Sequence, residues 1–237
     1  LFLSALFFAI AMQSIAQRPK VVINDSSYFE ARGFNLLAFS NGYGLFGDEK
    51  MSGIGIIHHG VRTGTSGDVR LSPTPEQWDS IPRFIRRDIN KQTNTIEAFL
   101  QYVSYDFNYS VKVTSKDDGL LISIHLDKPL PAALEGHAGF NLEFLPSAYF
   151  RKSYLADNRT GIFPLYPSGP MESNDPSRKP VIGASNANPY HPRPFATAKT
   201  FVLAPEDPER RISITSNDGT LGLYDGRNKA QNGWFVI

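Results

Sequence analysis

Glycine-rich, paired-histidine, paired-arginine and carboxylate positions are where this sequence could carry chemistry. The run Gly42-Tyr43-Gly44-Leu45-Phe46-Gly47 fits G-x-G-x-x-G, with a candidate strand at Asn35 to Phe39 before it and Asp68 about 20 residues on, where a ribose-binding acid would stand. A dinucleotide loop needs a helix to begin there, because the free N–H groups of the helix start face the pyrophosphate. Asp48 to Gly55 instead brings two further glycines and then strand residues, which argues for a β-turn. His58 and His59 are adjacent, and neighbouring strand side chains point to opposite faces, so the expectation is one buried and one exposed ring rather than a metal pair. His125 falls on the polar face of its strand, and Arg86-Arg87 and Arg210-Arg211 read as solvated pairs. Glu135, Glu143, Asp157 and Asp225 are the acids to test as a glycosidase pair. That chemistry depends on a separation in space of about 5–9.5 Å, which spacing along the chain does not give. Acids of this kind also cap turns or pair with arginine. No catalytic residue, metal site or cofactor is assigned. With no cysteine, thiolate zinc sites, cysteine nucleophiles and disulfides are excluded.

Aromatic residues form a second group. Tyr149, Phe150, Tyr154, Phe163, Tyr166, Tyr190, Phe195, Trp78 and Trp234 lie in or beside segments that read as loops. Such rings either stack on the apolar faces of sugars or anchor loops on a core. Trp78 and Tyr166 are the two candidates for docking a carbohydrate or a neighbouring domain. Trp78 follows Pro73-Thr74-Pro75, and Tyr166 sits within Phe163-Pro164-Leu165-Tyr166-Pro167. Prolines restrict φ and pre-order a loop, so an aromatic held there loses little entropy on binding.

The elements that must position these residues read as short strands. Tyr105 to Val113 alternates apolar and polar, Asp117-Asp118-Gly119 supplies a turn, and Leu120, Ile122, Ile124 and Leu126 fall on one face of the next strand. Arg83 to Ile89 and Thr95 to Val103 flank the polar turn Asn90 to Asn94. Arg211 to Thr215 and Leu221 to Tyr224 flank Ser216 to Gly219. Val21 to Ile23, Asn35 to Phe39, Gly53 to Ile57, Phe140 to Phe144 and Thr200 to Leu203 are further strands, and Pro131 to Leu134 is a single helical turn. Pro164 to Pro194 is proline-rich and reads as a long excursion within one domain. The expected fold is all-β, a large antiparallel two-sheet β-sandwich from Gln17 to Ile237.

The 237 residues are 41% hydrophobic and 12% aromatic, enough for a real core. A net charge of +1 removes the electrostatic argument for nucleic acid as a partner. Leu1 to Met12 is apolar but shorter than the roughly 20 residues of a membrane span, and Ser14-Ile15-Ala16 places small residues before a cut at Gln17. Residues 1–16 therefore read as a signal peptide lacking its own beginning. The expectation is an exported protein, secreted or periplasmic, with no membrane span after cleavage. The bulky run Trp234-Phe235-Val236-Ile237 ends inside strand chemistry, which suggests that more chain follows.

Five blocks carry a resemblance. They are Gly67-Asp68-Val69-Arg70-Leu71-Ser72-Pro73-Thr74-Pro75-Glu76-Gln77-Trp78-Asp79, Gly139 to Phe150, Gly161-Ile162-Phe163-Pro164-Leu165-Tyr166-Pro167-Ser168-Gly169-Pro170, Leu203 to Pro208, and Tyr224 to Phe235. Together they resemble the N-terminal, non-catalytic region of exported bacterial glycoside hydrolases of family nine, the cellulase or endoglucanase family. The resemblance spans about residues 20 to 237. It implies a downstream catalytic domain of the same chain as partner, plant β-glucan-type polysaccharide as the parent enzyme's substrate, and no catalytic residue in this region. The other reading is a stand-alone carbohydrate-binding or surface-assembly β-sandwich without enzyme activity.

Overall fold

Residues 20–40, 53–71, 82–116, 119–166, 194–228 and 234–237 are described by the computed structural model. In chain order its strands are β1 (Val22–Ile23), β2 (Phe29–Ala31), β3 (Phe34–Ala38), β4 (Ile54–His58), β5 (Val61–Leu71), β6 (Arg83–Asn90), β7 (Thr95–Tyr102), β8 (Phe107–Lys116) and β9 (Gly119–Leu126). There follow β10 (Ala138–Phe144), β11 (Ser153–Ala156), β12 (Arg159–Ile162), β13 (Ala196–Ala198), β14 (Thr200–Leu203), β15 (Ile212–Thr215), β16 (Leu221–Asp225) and β17 (Phe235–Val236). One four-residue helix, α1 (Pro146–Tyr149), interrupts them. The fold is all-β, antiparallel and sandwich-like, as the strand pattern predicts.

Hydrogen bonding divides the strands into three sheets. The largest has nine strands in the order β1-β2-β3-β4-β5-β10-β17-β16-β13. Two four-stranded sheets are β6-β7-β8-β9 and β12-β11-β14-β15. Period-two alternation explains the second. Ile96, Ala98, Leu100 and Tyr102 of β7 are buried, and Thr95, Glu97, Phe99 and Gln101 between them are only partly so. Phe107, Tyr109, Val111 and Val113 of β8 continue the buried face, and Leu120, Ile122 and Ile124 of β9 pack against it. Leu126 breaks the expected stripe and is 46% exposed at the strand end. The three inner faces share one core with Phe29, Ile54, Ile56, Phe144, Phe201, Leu203 and Phe235. Each such side chain contributes about 1.5–3 kcal/mol by leaving water.

The 11-residue strand β5 is one of the elements that sequence patterning misses. Its run Val-Arg-Thr-Gly-Thr-Ser-Gly-Asp-Val-Arg-Leu is polar and glycine-rich, yet β5 is central and pairs with both β4 and β10. Close backbone approach explains it. A Cβ at Gly67 would lie 2.7 Å from Ile54 Cβ, and one at Gly53 would lie 2.6 Å from the Gly67 carbonyl oxygen. Gly53 also has φ +83°, a left-handed backbone that costs an L-residue about 1–2 kcal/mol. Gly53→Ala is therefore expected to lower stability in urea unfolding by about 2–3 kcal/mol; an unchanged midpoint would contradict this packing.

Other pairings depart from chain order. β15 and β16 flank Ser216–Gly219 but join different sheets, β15 pairing with β14 and β16 with β13 and β17. The single turn at Pro131 to Leu134 is a 3-10 helix over Ala132–Leu134. Residues 1–16, the Gly42 to Gly47 run, Trp78 and Tyr190 lie outside the described residues.

Candidate functional site

Described parts of the second, third and fifth blocks of the resemblance meet in one aromatic cluster, and parts of the first and fourth pair as strands beside it. Gly67–Leu71 lies on β5 and pairs with β10, which carries the second block. α1 then delivers Tyr149, fully buried, edge-on to Phe144 at 5.7 Å and 5.5 Å from Phe163 of the third block. Phe163 lies 4.7 Å from Phe235 of the fifth and 5.3 Å from Tyr154. The fourth block starts on β14, whose Leu203 pairs with Tyr154. Tyr149 and Phe163 are thus core anchors, and Phe150, Tyr154 and Phe195 pack against the same core.

Arg227 fastens this cluster. Its Nε and Nη2 donate to Oδ1 and Oδ2 of Asp225, both at 2.8 Å. Its Nη1 donates to the Leu165 carbonyl and Nη2 to the Pro164 carbonyl, both at 2.9 Å. The guanidinium carbon stands 4.6 Å from the centre of the Phe235 ring. The Asp225 and Arg227 side chains are 1% and 11% exposed. A planar fork with several fixed donors is suited to a carboxylate and two carbonyls at once. The clamp holds the chain from buried Phe163 to Leu165, and the next residue, Tyr166, projects with 76% exposure. Tyr166 is thus a presented aromatic on a stiffened pedestal.

The four candidate acids hold different places in the fold. Glu143 shares a row with Val236 and Tyr224, whereas Asp225 shares the next row with Phe235 and Phe144. Successive strand residues alternate, so these two acids face opposite sides of the same sheet. Asp157 accepts the Thr200 N–H at 2.9 Å and the Lys199 N–H at 3.2 Å and closes a turn. Glu135 is exposed beside the 3-10 turn. Burial raises the Glu143 carboxyl, opposed by Arg70 and by a hydrogen bond from Ser66.

Asp68 is interior. It is 2% exposed, and its Oδ1 accepts the Tyr109 hydroxyl at 2.9 Å and the Val69 N–H at 2.7 Å. Tyr102 donates to the Val69 carbonyl at 2.9 Å. Burial pushes Asp68 up to about 6 and raises both tyrosines. These bonds tie the β6–β9 sheet to the nine-stranded one.

The histidine pair splits as expected. His58 is 6% exposed, its Nδ1 2.8 Å from Thr63 Oγ1, and burial lowers it to about 4; His59 is exposed. His125 is exposed. Both arginine pairs need correction. Arg86 is solvent-facing and stacks on Phe99, 3.6 Å from the ring centre, but Arg87 turns inward to the Ser27 carbonyl. The cause is a bulge between Phe84 and Arg86, which shifts the alternation by one. Arg211 is exposed, but the Arg210 side chain is only 18% exposed and lines a cleft of about 260 Å³ with Val61, Arg62, Ser147, Ala148, Lys152 and Asp207.

Among the described residues there is no group of three His, Asp or Glu side chains placed to hold a metal, and no helix is long and apolar enough to cross a membrane. No protein-family model matches the chain, and no curated protein or solved structure matches it either. Residue type and spacing do not single out Arg227 or Lys152, and they read Arg210 as half of a solvated pair. Their partners lie about 60 residues away for Arg227 and 55 for Lys152. A local signal that could find Arg227 is the acid two residues before it, Asp225, with which it forms an ion pair.

Proposed function

We propose that this domain is the accessory N-terminal module of an exported glycoside hydrolase acting on plant β-glucan-type polysaccharide, with the bond-cleaving residues in a downstream domain. The observation that carries this reading is the Arg227 clamp, which joins the third block to the fifth and leaves Tyr166 outward. The acids within those blocks support it too. Asp225 pairs with Arg227, Asp68 accepts from Tyr109, and Glu143 faces away from Asp225. Tyr166, with Trp78, serves as a contact for the catalytic domain or for polysaccharide.

Reading the coding frame past Ile237 tests this. A helical-repeat region with clustered Asp and Glu is the expected result. A stop codon soon after Ile237 overturns it in favour of a stand-alone carbohydrate-binding protein. Within the whole protein, Tyr166→Ala should leave the unfolding free energy of this domain within about 0.5 kcal/mol of native, as for an exposed side chain. It should also weaken insoluble-glucan retention or lower the melting temperature of the adjoining domain. Loss of this domain's own stability would make Tyr166 a core anchor and remove it from the surface.

A further inference from the structure

The sheet β6-β7-β8-β9 ends in two edges of opposite character. The N–H and C=O groups along an edge are a template for another strand, and charges, bulges and covering segments blunt it. β6 has all three. It carries Arg83, Arg86, Arg87 and Asp88, and it is bulged between Phe84 and Arg86. The chain between β1 and β2 also reaches it, through Arg87 to the Ser27 carbonyl and through Lys91, just past its end, to Asp25 at 2.9 Å. β9 is different. Its residues, Gly-Leu-Leu-Ile-Ser-Ile-His-Leu, include no Asp, Glu, Lys, Arg or Pro. Its pairing with β8 runs unbroken from Gly119 opposite Lys116 to Leu126 opposite Tyr109. Among the described residues, no strand pairs with its outer side.

On β8, Tyr109, Val111 and Val113 are 3%, 1% and 0% exposed. Their β9 neighbours Leu126, Ile124 and Ile122 lie on the same face, yet Ile124 and Ile122 are only half-buried and Leu126 is 46% exposed. A further strand beside β9 would cover that row. The main chain is phased for one. The Ser115 N–H bonds toward β7, to the Asn94 carbonyl at 2.9 Å. By alternation the even positions of β8 bond to β9, and the Asp127 N–H accordingly points to the Asn108 carbonyl, at 3.5 Å. Their partners on β9 are the odd positions. Leu120, Ile122, Ile124 and Leu126 therefore turn their N–H and C=O groups to the open edge.

The order of residues selects the strand that fits. Leu120-Leu121-Ile122-Ser123-Ile124-His125-Leu126 reads the same in both directions about Ser123, except that Leu121 answers to His125. A two-fold axis between antiparallel strands requires such a match, because residue i meets j and j meets i. We propose that β9 pairs with β9 of a second copy of this chain, antiparallel and centred on Ser123, so that two four-stranded sheets become one continuous sheet. Ile122 then meets Ile124 and Leu120 meets Leu126 on the core face, each as a hydrogen-bonded pair. The two Ser123 residues meet at the axis on the other face. Like charges directly opposite destabilise a strand pair, and β9 brings no Asp, Glu, Lys or Arg to the axis. One strand pair is small beside the roughly 1,200–2,000 Å² of stable interfaces, so the dimer is concentration-dependent.

The test is sedimentation equilibrium of the chain from Gln17 to Ile237, whose strands share one core, between about 5 and 500 μM. The expected result is monomer at the low end and a rising dimer fraction above it. Ser123→Lys removes no core side chain but sets two ammonium groups together at the axis. It should raise the dissociation constant at least about tenfold, with circular dichroism unchanged. A second pair of variants reads the register. The chain has no cysteine, so Ser123→Cys supplies a single thiol. Across the axis that position is a non-hydrogen-bonded pair with Cα atoms about 4.5 Å apart, within disulfide reach. In His125→Cys the two thiols stand about 13 Å apart along the strands. Mild oxidation should therefore link Ser123→Cys copies at least about tenfold faster than His125→Cys copies. Monomer at every concentration, a dimer indifferent to Ser123→Lys, or equal cross-linking of the two cysteine variants overturns the proposal. Should Ser123→Lys not fold, the cysteine variants decide it. No outcome depends on hydrolysis, so this pairing and the enzyme reading stand or fall separately.

Discussion

Arg227→Met is expected to lower the unfolding free energy by about 3–5 kcal/mol, the usual loss when one partner of a buried ion pair is removed. The Asp225 side chain, 1% exposed, would lose both of its guanidinium hydrogen bonds. The Pro164 and Leu165 carbonyls would lose their donors, and Phe235 its stacked cation. For a domain of this size each kcal/mol moves the melting temperature by roughly 2–4 °C, so a drop on the order of 10 °C should be seen. Arg227→Lys should rescue little, because one ammonium cannot serve both carboxylate oxygens and two carbonyls in this geometry. Asp225→Asn combined with Arg227→Met should recover part of the loss, because the double change removes both members of the buried ion pair. A single Arg227→Met change costing under about 1 kcal/mol in urea unfolding would contradict the clamp.

The second large effect is a dependence of stability on pH. Asp68 is pushed from an ordinary value of 3.8 to about 6 by burial. The folded state therefore holds a proton on Asp68 that the unfolded chain has already released. Stability from this group is fully present below about pH 4 and is lost as pH rises through about 6. The loss amounts to at most about 3 kcal/mol. In Asp68→Asn the amide oxygen still accepts from Tyr109 and from the Val69 N–H, and nothing ionises. Urea titrations between pH 4 and 7 should show native stability falling relative to the variant, with the variant equal or more stable at pH 7. Parallel curves across that range would show that Asp68 is charged in the fold at the same pH as in the open chain.

Patterning reveals the sheet elements whose two faces differ. β6 with β7 and β8 with β9 are hairpins with alternating side chains, and both are visible from residue type alone. β5 is not, because its burial rests on glycines pressed against Ile54 and Ile56 and on buried Thr63 and Asp68, none of which raises apolar periodicity. The short strand β11 pairs with β12 in a tight hairpin and also with β14 more than 40 residues on, and β13 pairs with β16 across more than 20 residues. Site residues divide the same way. Tyr166 stands out because it is an aromatic among prolines, and it is exposed. Arg210 reads as one of a solvated pair, yet the chain after β14 turns it beside Lys152. The inward turn of Arg87 depends on a single-residue bulge that no composition signals.

Reducing-end release from a soluble β-glucan bears most directly on whether this is an accessory module. The chain from Gln17 to Ile237 alone is expected to release nothing above buffer. The protein translated from the whole reading frame is expected to hydrolyse the same substrate. Turnover by the chain alone, or none by the whole protein, would contradict the proposed division of labour.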